Sequence, residues 1–310
     1  MKLVIVVNGG IGKNIGALGA IQWLRENVEE IERIVVVASH PSVFRSCEDV
    51  EVFSHTSSNL FDLFPRDKWE WIDVEVYRER DWYEGRRNIS SQFVVSILKF
   101  LDIRREVPAE IVPRYRILKD EELRAEMYLM NIISKTGNRP VVLYQPFGGW
   151  AYETMRFTGR ELDIKIASEL GRRIEGLGVV LIQVKSDKEP AVCNYYTQGM
   201  GIREVIALLS KSETFVGVDS FLQHAGASVG KRGVVIWGST HYKQNGYSMH
   251  INIVKNNCDI QPCRRPAWGF GLDMIATERG FESWSCRRGY RCMEIDIEEV
   301  EKALRELIKI

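Results

Sequence analysis

The fold class follows from residues 214–250, which read TFVGVDSFLQHAGASVGKRGVVIWGSTHYKQNGYSMH. A β-branched apolar run at 214–218 is typical of a buried strand, and a second run at 234–237 predicts another strand. Between them, residues 221–229 have the small and apolar composition of a buried helix. Because ligands of open α/β sheets bind beyond the carboxyl ends of the strands, this order predicts an α/β domain with a small-molecule site.

The ends of these two predicted strands carry the polar residues of a candidate site. Asp219 and Ser220 stand where the helix begins, and free backbone N–H groups there attract a phosphate. Asp219 itself repels a diphosphate, so we expect it to hydrogen-bond a sugar hydroxyl or to cap the helix. His224, one turn further, is either a ligand contact or a buried structural group. Ser239 and Thr240 either hold a phosphate or close a turn.

Both halves of the chain follow the order strand, loop, helix and strand. In the first half a glycine loop precedes a predicted helix at 16–28, and in the second half the pattern restarts with a strand at 141–145. Turn-forming residues at 137–140 mark the boundary, so we predict two Rossmann-like domains, 1–137 and 138–310. The other predicted elements are strands at 3–7, 34–38 and 179–184, and helices at 92–101, 120–134, 161–174, 202–210 and 297–310.

The predicted C-terminal helix has its apolar residues on one face, which must dock on another element. Asp296 and Glu299 have the spacing of a capping box at its start. Residues 51–115 have weaker periodicity, and we expect alternating short strands and loops there, before the helix at 92–101.

Composition indicates the class of protein and its partners. The 310 residues include 42 Lys plus Arg and 42 Asp plus Glu, so the net charge gives no reason to expect a nucleic-acid partner. No apolar run approaches the roughly 20 residues of a membrane span. The start of the chain resembles a strand rather than a signal peptide. With six cysteines, the chain is not a disulfide scaffold, and we expect a cytoplasmic protein.

Three glycines, Gly9, Gly10 and Gly12, follow the first predicted strand. Such a loop lets the backbone approach a ligand closely, although it also suits a tight turn between a strand and a helix. Lys13 comes next, and a lysine amine is ordinarily protonated at neutral pH. We therefore expect Lys13 to contact an anionic ligand rather than to accept a proton.

Four cysteines near the end of the chain form a candidate metal site. Cys258, Cys263, Cys286 and Cys292 can supply four thiolates, which suit tetrahedral Zn or Fe. Their spacing is looser than that of paired Cys-x2-Cys motifs, and free thiols or disulfides remain alternatives. With all four positions filled by protein, such a metal has a structural role.

Three stretches resemble family 9 glycosyltransferases, the ADP-heptose transferase group. They are residues 219–225 with 237–240 (DSFLQHA and WGST), residues 8–12 (NGGIG) and the tail cysteines. The letters suggest a divergent bacterial and phage branch of that family. The resemblance implies the GT-B architecture, in which two Rossmann-like domains face a cleft. It also implies a nucleotide-sugar donor bound by the second domain.

The resemblance assigns expected roles to further residues. Arg156 corresponds to a cation that faces the donor, and Gln145 ends a strand of the donor-side domain. The family places an aspartate, its expected catalytic base, where this chain has Lys13. The base must then come from elsewhere, and the candidates are Asp81, Glu84 and Asp73, each of which can instead pair with a neighbouring arginine.

The sequence therefore predicts an enzyme that moves a sugar, with heptose as one candidate, from a nucleotide-diphosphate donor to a glycan or protein hydroxyl. By resemblance, the reaction is an inverting displacement with no catalytic divalent metal. Two alternatives stay open: a sugar-nucleotide epimerase or hydrolase of the same fold, and a non-catalytic relative that has lost its base.

Overall fold

The computed structural model describes residues 1–48, 50–78, 84–148, 159–255, 257–258, 261 and 290–308. The chain forms two compact units, residues 1–118 and residues 119–310. The sequence places the division at 137/138, after the helix Lys119–Thr136, whereas the compact units divide ahead of that helix. Within the described residues, no helix is long and apolar enough to cross a membrane.

The first unit is built on a parallel sheet of four strands in the order β3-β2-β1-β4. Val4, Val35 and Val37 cover one face of it, together with Phe64 and Trp69. The strands are β1 Lys2–Val7, β2 Arg33–Ala38, β3 Val50–Ser54 and β4 Glu70–Asp73; the helices are Ile11–Asn27, Leu60–Leu63 and Ile89–Phe100, with 3-10 turns Pro41–Phe44 and Val76–Arg78.

The helix Ile11–Asn27 begins five residues before the predicted start at 16. Its glycines serve close packing, because a Cβ on Gly16 would lie 2.8 Å from Cγ2 of Ile89, on the neighbouring helix. Buried positions lie all around this helix, so its sequence lacks the polar face by which an amphipathic helix is recognised.

The second unit contains a parallel sheet of six strands in the order β10-β9-β8-β5-β6-β7. Apolar residues on the β strands and on the surrounding helices form its core. The strands are β5 Val141–Gln145, β6 Val180–Gln183, β7 Tyr195–Tyr196, β8 Thr214–Val218, β9 Val234–Trp237 and β10 Ile251–Val254; the helices are Lys119–Thr136, Ile164–Glu175, Ile202–Lys211, Phe221–Ser228, Tyr242–Asn245 and Ile297–Leu307, with a 3-10 turn Arg291–Met293.

A buried ion pair fixes the helix Lys119–Thr136 to the helix Ile202–Lys211. Arg203 donates to both carboxylate oxygens of Glu121, and both side chains are buried. A bidentate pair of this kind joins two helices with defined geometry. This explains why the helix belongs to the second unit although it precedes the turn-forming residues at 137–140.

The C-terminal helix Ile297–Leu307 docks on the second unit, where Val300 and Leu304 enter its core. Asp296 caps the helix by accepting from the backbone N–H of Glu298 at 3.0 Å. The predicted reciprocal capping box does not form, because Glu299 pairs instead with Lys255 at 2.6 Å.

Candidate functional site

The second unit has a point where the direction of strand order reverses. From β5 the chain proceeds outward to β6 and β7, and then returns to β8 on the other side of β5. β5 and β8 are neighbours in parallel register, with Gln145 opposite Gly217. Their carboxyl ends carry Gln145 and Asp219. Ligands of open α/β sheets bind at such switch points, so the fold brings the predicted residues to the expected place.

Asp219 lies at the centre of a buried polar network. Its Oδ2 accepts from Thr240 Oγ1 at 2.5 Å and from Asn245 Nδ2 at 3.2 Å. The guanidinium of Arg160 lies 3.8 Å from the same oxygen. Asp219 therefore does not cap the helix that follows it. A positive charge beside the carboxylate also reduces the repulsion that Asp219 would exert on a bound diphosphate.

The start of the helix Phe221–Ser228 is capped from a different strand. Ser220 occupies the N-cap position with extended backbone and makes no side-chain capping bond. Instead, Oε1 of the buried Gln145 accepts from the backbone N–H of Leu222 at 2.8 Å. Gln145 thus fixes the helix start to β5. The serine hydroxyl stays outside the capping interaction, at a helix N-terminus that suits an anion.

His224 is buried in the same helix, and its Nδ1 lies 3.1 Å from the hydroxyl of Tyr247. Burial lowers the pKa of His224 to about 4, against the opposing effect of Asp219. The imidazole is consequently neutral at pH 7. It can contribute a directed hydrogen bond to a ligand, but no positive charge.

Several supporting residues were not predicted from the sequence. Asn245 donates a hydrogen bond to Asp219, and the hydroxyl of Tyr247 lies within hydrogen-bonding distance of His224. His250 Nε2 donates to the backbone oxygen of Gln223 at 2.9 Å. Burial lowers the pKa of His250 to about 4. These residues lie in the polar stretch after Thr240, whose density of amide, phenol and imidazole groups was the available signal.

The turn after β9 brings two distant segments together. A Cβ on Gly238 would lie 2.1 Å from the backbone oxygen of Gly159, so only glycine fits this close approach. Ser239 donates its backbone N–H to the same oxygen at 2.9 Å. Within the part of the chain that the structure describes, the buried hydroxyl of Ser239 has no hydrogen-bond partner. Thr240, in contrast, donates its hydroxyl to Asp219.

The glycine loop of the first unit is a turn from β1 into a helix. Gly9 has a φ of +101°, which favours glycine, and Gly10 occupies the N-cap position. The side chain of the buried Asn14 donates to the oxygens of Gly10, at 3.0 Å, and of Ser39, at 3.1 Å. Gly12 lies within the first helical turn. These bonds fix the loop between the ends of β1 and β2.

Lys13 contacts an anion that the chain itself supplies. Its Nζ lies 3.5 Å from Oε2 of Glu75, and the lysine side chain is only 6% exposed. The ammonium also lies 5.1 Å from the ring centre of Tyr77 and 6.0 Å from that of Phe93. Glu75 was not among the residues predicted from the sequence, because it follows β4, which carries no continuous apolar run.

The predicted base candidates differ in their surroundings. Glu84 forms an ion pair with Arg86 at 2.6 Å, which is the alternative that the sequence left open. Asp73 is the exposed last residue of β4. Asp81 and the predicted donor-side cation Arg156 both lie outside the described residues.

The cysteine cluster is described only in part. Cys258 and Cys292 pack against the same hydrophobic core of the second unit, and Cys292 is buried. Cys263 and Cys286 lie outside the described residues. Over the described ranges, no group of three or more potential ligands is positioned to hold a metal.

A cavity of about 760 Å³ lies beside Gly159 in the second unit. Glu161, Asp163 and Glu294 contribute carboxylates to its lining, whereas Lys188 contributes one ammonium. The excess of carboxylates makes this cavity unfavourable for an anionic ligand such as a diphosphate.

Comparison with known families agrees with this geometry. Residues 192–267 match the model of glycosyltransferase family 9 (heptosyltransferase). The matched segment includes Asp219, Ser220 and His224, and the match confirms the resemblance noted in the sequence. Comparison with curated protein sequences finds no relative.

Solved structures show the same fold over nearly the whole chain. The family 9 glycosyl transferase of Veillonella parvula DSM 2008 is 12% identical, with a TM-score of 0.67 over 99% of this chain and 96% of that one. The ADP-heptose LPS heptosyltransferase II of E. coli is 12% identical, with a TM-score of 0.65 over 99% and 98%. TibC of enterotoxigenic E. coli H10407, an iron-containing dodecameric glycosyltransferase, is 12% identical, with a TM-score of 0.66 over 99% and 78%. These likenesses confirm the predicted GT-B fold class.

Proposed function

We infer that this chain is a family 9 glycosyltransferase that moves a sugar from a nucleotide-diphosphate donor to a hydroxyl acceptor. The observation that carries the inference is the arrangement at the β5/β8 switch point. There the matched family segment places Asp219, Ser220 and His224 around a helix N-terminus. A diphosphate bound at that terminus would accept hydrogen bonds from backbone N–H groups, and the helix dipole would stabilise its negative charge.

The proposed chemistry is a displacement in which the acceptor oxygen attacks the anomeric carbon and the nucleoside diphosphate leaves. Negative charge grows on the leaving diphosphate, and preorganised donors at the helix start stabilise it. Neutral His224 would orient the donor through a hydrogen bond. Ser239, whose hydroxyl is unsatisfied within the described ranges, is a further donor for the phosphates or the sugar.

ADP-heptose is the first donor to test, because the E. coli structural neighbour is described as an ADP-heptose transferase. A glycan or protein hydroxyl is the proposed acceptor, and inversion at the anomeric carbon is the proposed stereochemistry. We further propose a structural Zn or Fe on Cys258, Cys263, Cys286 and Cys292. The chemistry of four thiolates suits either metal, and the described pair, Cys258 and Cys292, shares one packed region.

The test is turnover of a panel of nucleotide sugars with and without acceptor fractions of glycan and protein. Release of nucleoside diphosphate that depends on acceptor is the expected result, with the anomeric configuration of the product read by NMR. If as much nucleoside diphosphate is released without acceptor as with it, the protein is a hydrolase. If the donor is isomerised, the protein is an epimerase. If a donor raises the melting temperature but is not turned over, the protein is a non-catalytic relative.

A further inference from the structure

The first unit has a switch point of its own. In the order β3-β2-β1-β4, the chain proceeds from β1 outward to β2 and β3, and then returns to β4 on the other side of β1. β1 and β4 are paired in parallel, with Val6 opposite Asp73. Their carboxyl ends lead into the glycine loop and into Glu75. The ligand-binding rule for open α/β sheets therefore selects this edge as a second place where substrate can bind.

Lys13 and Glu75 meet at this switch point with unequal exposure. The lysine side chain is 6% exposed, whereas the glutamate side chain is 45% exposed. Two aromatic rings flank the ammonium, which fixes its position. A buried ammonium is costly without a counter-charge, so it holds the carboxylate in place. Glu75 thus presents a fixed anionic carboxylate of which nearly half remains accessible to a ligand.

Transfer to a hydroxyl requires a group that takes the hydroxyl proton. Lys13 is an ammonium engaged with Glu75, and Glu84 is engaged with Arg86. Asp73 is exposed at the end of β4, but among the described residues no cation fixes it in place. Glu75 combines a position fixed by Lys13 with an accessible carboxylate. We propose that Glu75 is the general base of the transfer reaction and that Lys13 is a positioning residue that keeps Glu75 oriented. This inference rests on the proposed transferase function.

In the step, the acceptor oxygen forms a bond to the anomeric carbon while its proton passes to Oε1 or Oε2 of Glu75. The bond between the anomeric carbon and the diphosphate oxygen breaks, and its electron pair leaves with the nucleoside diphosphate. The proton later passes from the carboxyl to solvent. The step requires no oxidant, reductant or further reactant.

The first test is Glu75→Gln, which preserves shape but removes the proton-accepting carboxylate. We expect kcat to fall by on the order of 10²-fold or more, with the donor dissociation constant unchanged. Glu70→Gln is the matched control, because Glu70 is an exposed carboxylate at the start of β4, the strand that leads into Glu75. That variant is expected to keep the wild-type rate.

The second test is Lys13→Met, combined with Glu75→Gln in a double variant. Without the ammonium the carboxylate loses its fixed position, so kcat is expected to fall in Lys13→Met while the donor dissociation constant stays unchanged. Because Lys13 acts through Glu75, the double variant is expected to be no slower than Glu75→Gln alone. A further fall in the double variant would show a separate structural role and overturn the positioning role. Glu75→Asp, which keeps a carboxylate, is expected to retain more activity than Glu75→Gln, and equal losses in the two would count against the base.

The outcomes separate this inference from the proposed function. Wild-type protein that turns over no nucleotide sugar contradicts the transferase function itself. Wild-type protein that transfers sugar, together with a Glu75→Gln variant within threefold of its rate, overturns the assignment of Glu75 alone. Circular dichroism of each variant establishes that it is folded. Where Glu75→Gln fails to fold, the rates of Lys13→Met and Glu75→Asp decide, and wild-type rates in both would overturn the assignment.

Discussion

Thr240 Oγ1 donates a hydrogen bond to Oδ2 of Asp219 at a distance of 2.5 Å, and this bond joins the carboxyl end of β9 to that of β8. Both side chains are buried, and the acceptor is a charged group. A hydrogen bond of this kind contributes more than one between neutral groups, and its loss leaves the carboxylate with one donor fewer. Removing this bond is therefore expected to lower the free energy of unfolding.

Thr240→Val keeps the shape of the side chain and removes the donor. We expect the free energy of unfolding in urea to fall by about 1–3 kcal/mol. Thr214→Val is the matched control, because the buried Thr214 donates at 2.8 Å to the neutral backbone oxygen of Arg232. It is expected to cost about 1 kcal/mol or less. Equal losses in the two variants would show that the charge of Asp219 adds nothing to the bond.

The proposed metal predicts about one equivalent of Zn or Fe per chain in protein purified without added metal. Cys258→Ser removes one proposed ligand and is expected to lower both the metal content and the melting temperature, because metal binding stabilises the folded state. Cys193→Ser is the control, since burial raises the pKa of the Cys193 thiol to about 12 and disfavours a thiolate there. Protein with no bound metal and four free tail thiols would contradict the proposal.

The strands of the second unit were predictable because of how parallel sheets are buried. Val141–Gln145, Thr214–Val218 and Val234–Trp237 were predicted with the bounds observed. Each is buried on both faces, which gives a continuous apolar run that is recognisable from sequence alone. β4, by contrast, reads Glu-Trp-Ile-Asp and is exposed at both ends, so its local sequence carries no such signal.

The residues of the candidate site were predictable to different degrees. Asp219 and His224 stand in a family motif and follow a recognisable strand, so their placement together was expected. The partners Arg160 and Tyr247 depend on contacts between segments that are distant in sequence, which periodicity does not reveal. Glu75 is the clearest case, because its contact with Lys13 exists only through the pairing of β1 with β4.

Donor binding at the β5/β8 switch point is tested by two substitutions in the helix Phe221–Ser228 and its cap. Ser220→Trp fills the helix N-terminus, and His224→Ala removes the hydrogen-bonding imidazole. We expect the first to weaken nucleotide binding by tenfold or more and the second by several-fold, as measured by calorimetry. Ser134→Trp, at an exposed position of another helix, is the control. Unchanged nucleotide affinity in both site variants would contradict donor binding at the β5/β8 switch point.

The pH dependence of stability follows from the two buried histidines. Burial lowers the pKa of His224 and of His250 to about 4, from an ordinary value of 6.5. Between pH 6.5 and pH 4 the unfolded chain therefore binds protons at these positions that the folded chain does not bind. Lowering the pH through this window favours unfolding, and each histidine is expected to cost roughly 2–3 kcal/mol by pH 4.5. Above pH 6.5 both states carry neutral imidazoles and the effect vanishes.

Urea unfolding at intervals between pH 7 and pH 4.5 measures this loss directly. Because carboxylates also titrate in the range, the informative quantity is the difference between variant and wild type. His250→Gln, outside the predicted donor contacts, is expected to reduce the loss of unfolding free energy across the window by roughly 2–3 kcal/mol, whatever its stability at pH 7. His224→Gln is expected to act in the same direction. If both variants lose stability in parallel with the wild type, the folded and unfolded states bind protons at these imidazoles alike. Burial would then not hold His224 neutral across this window.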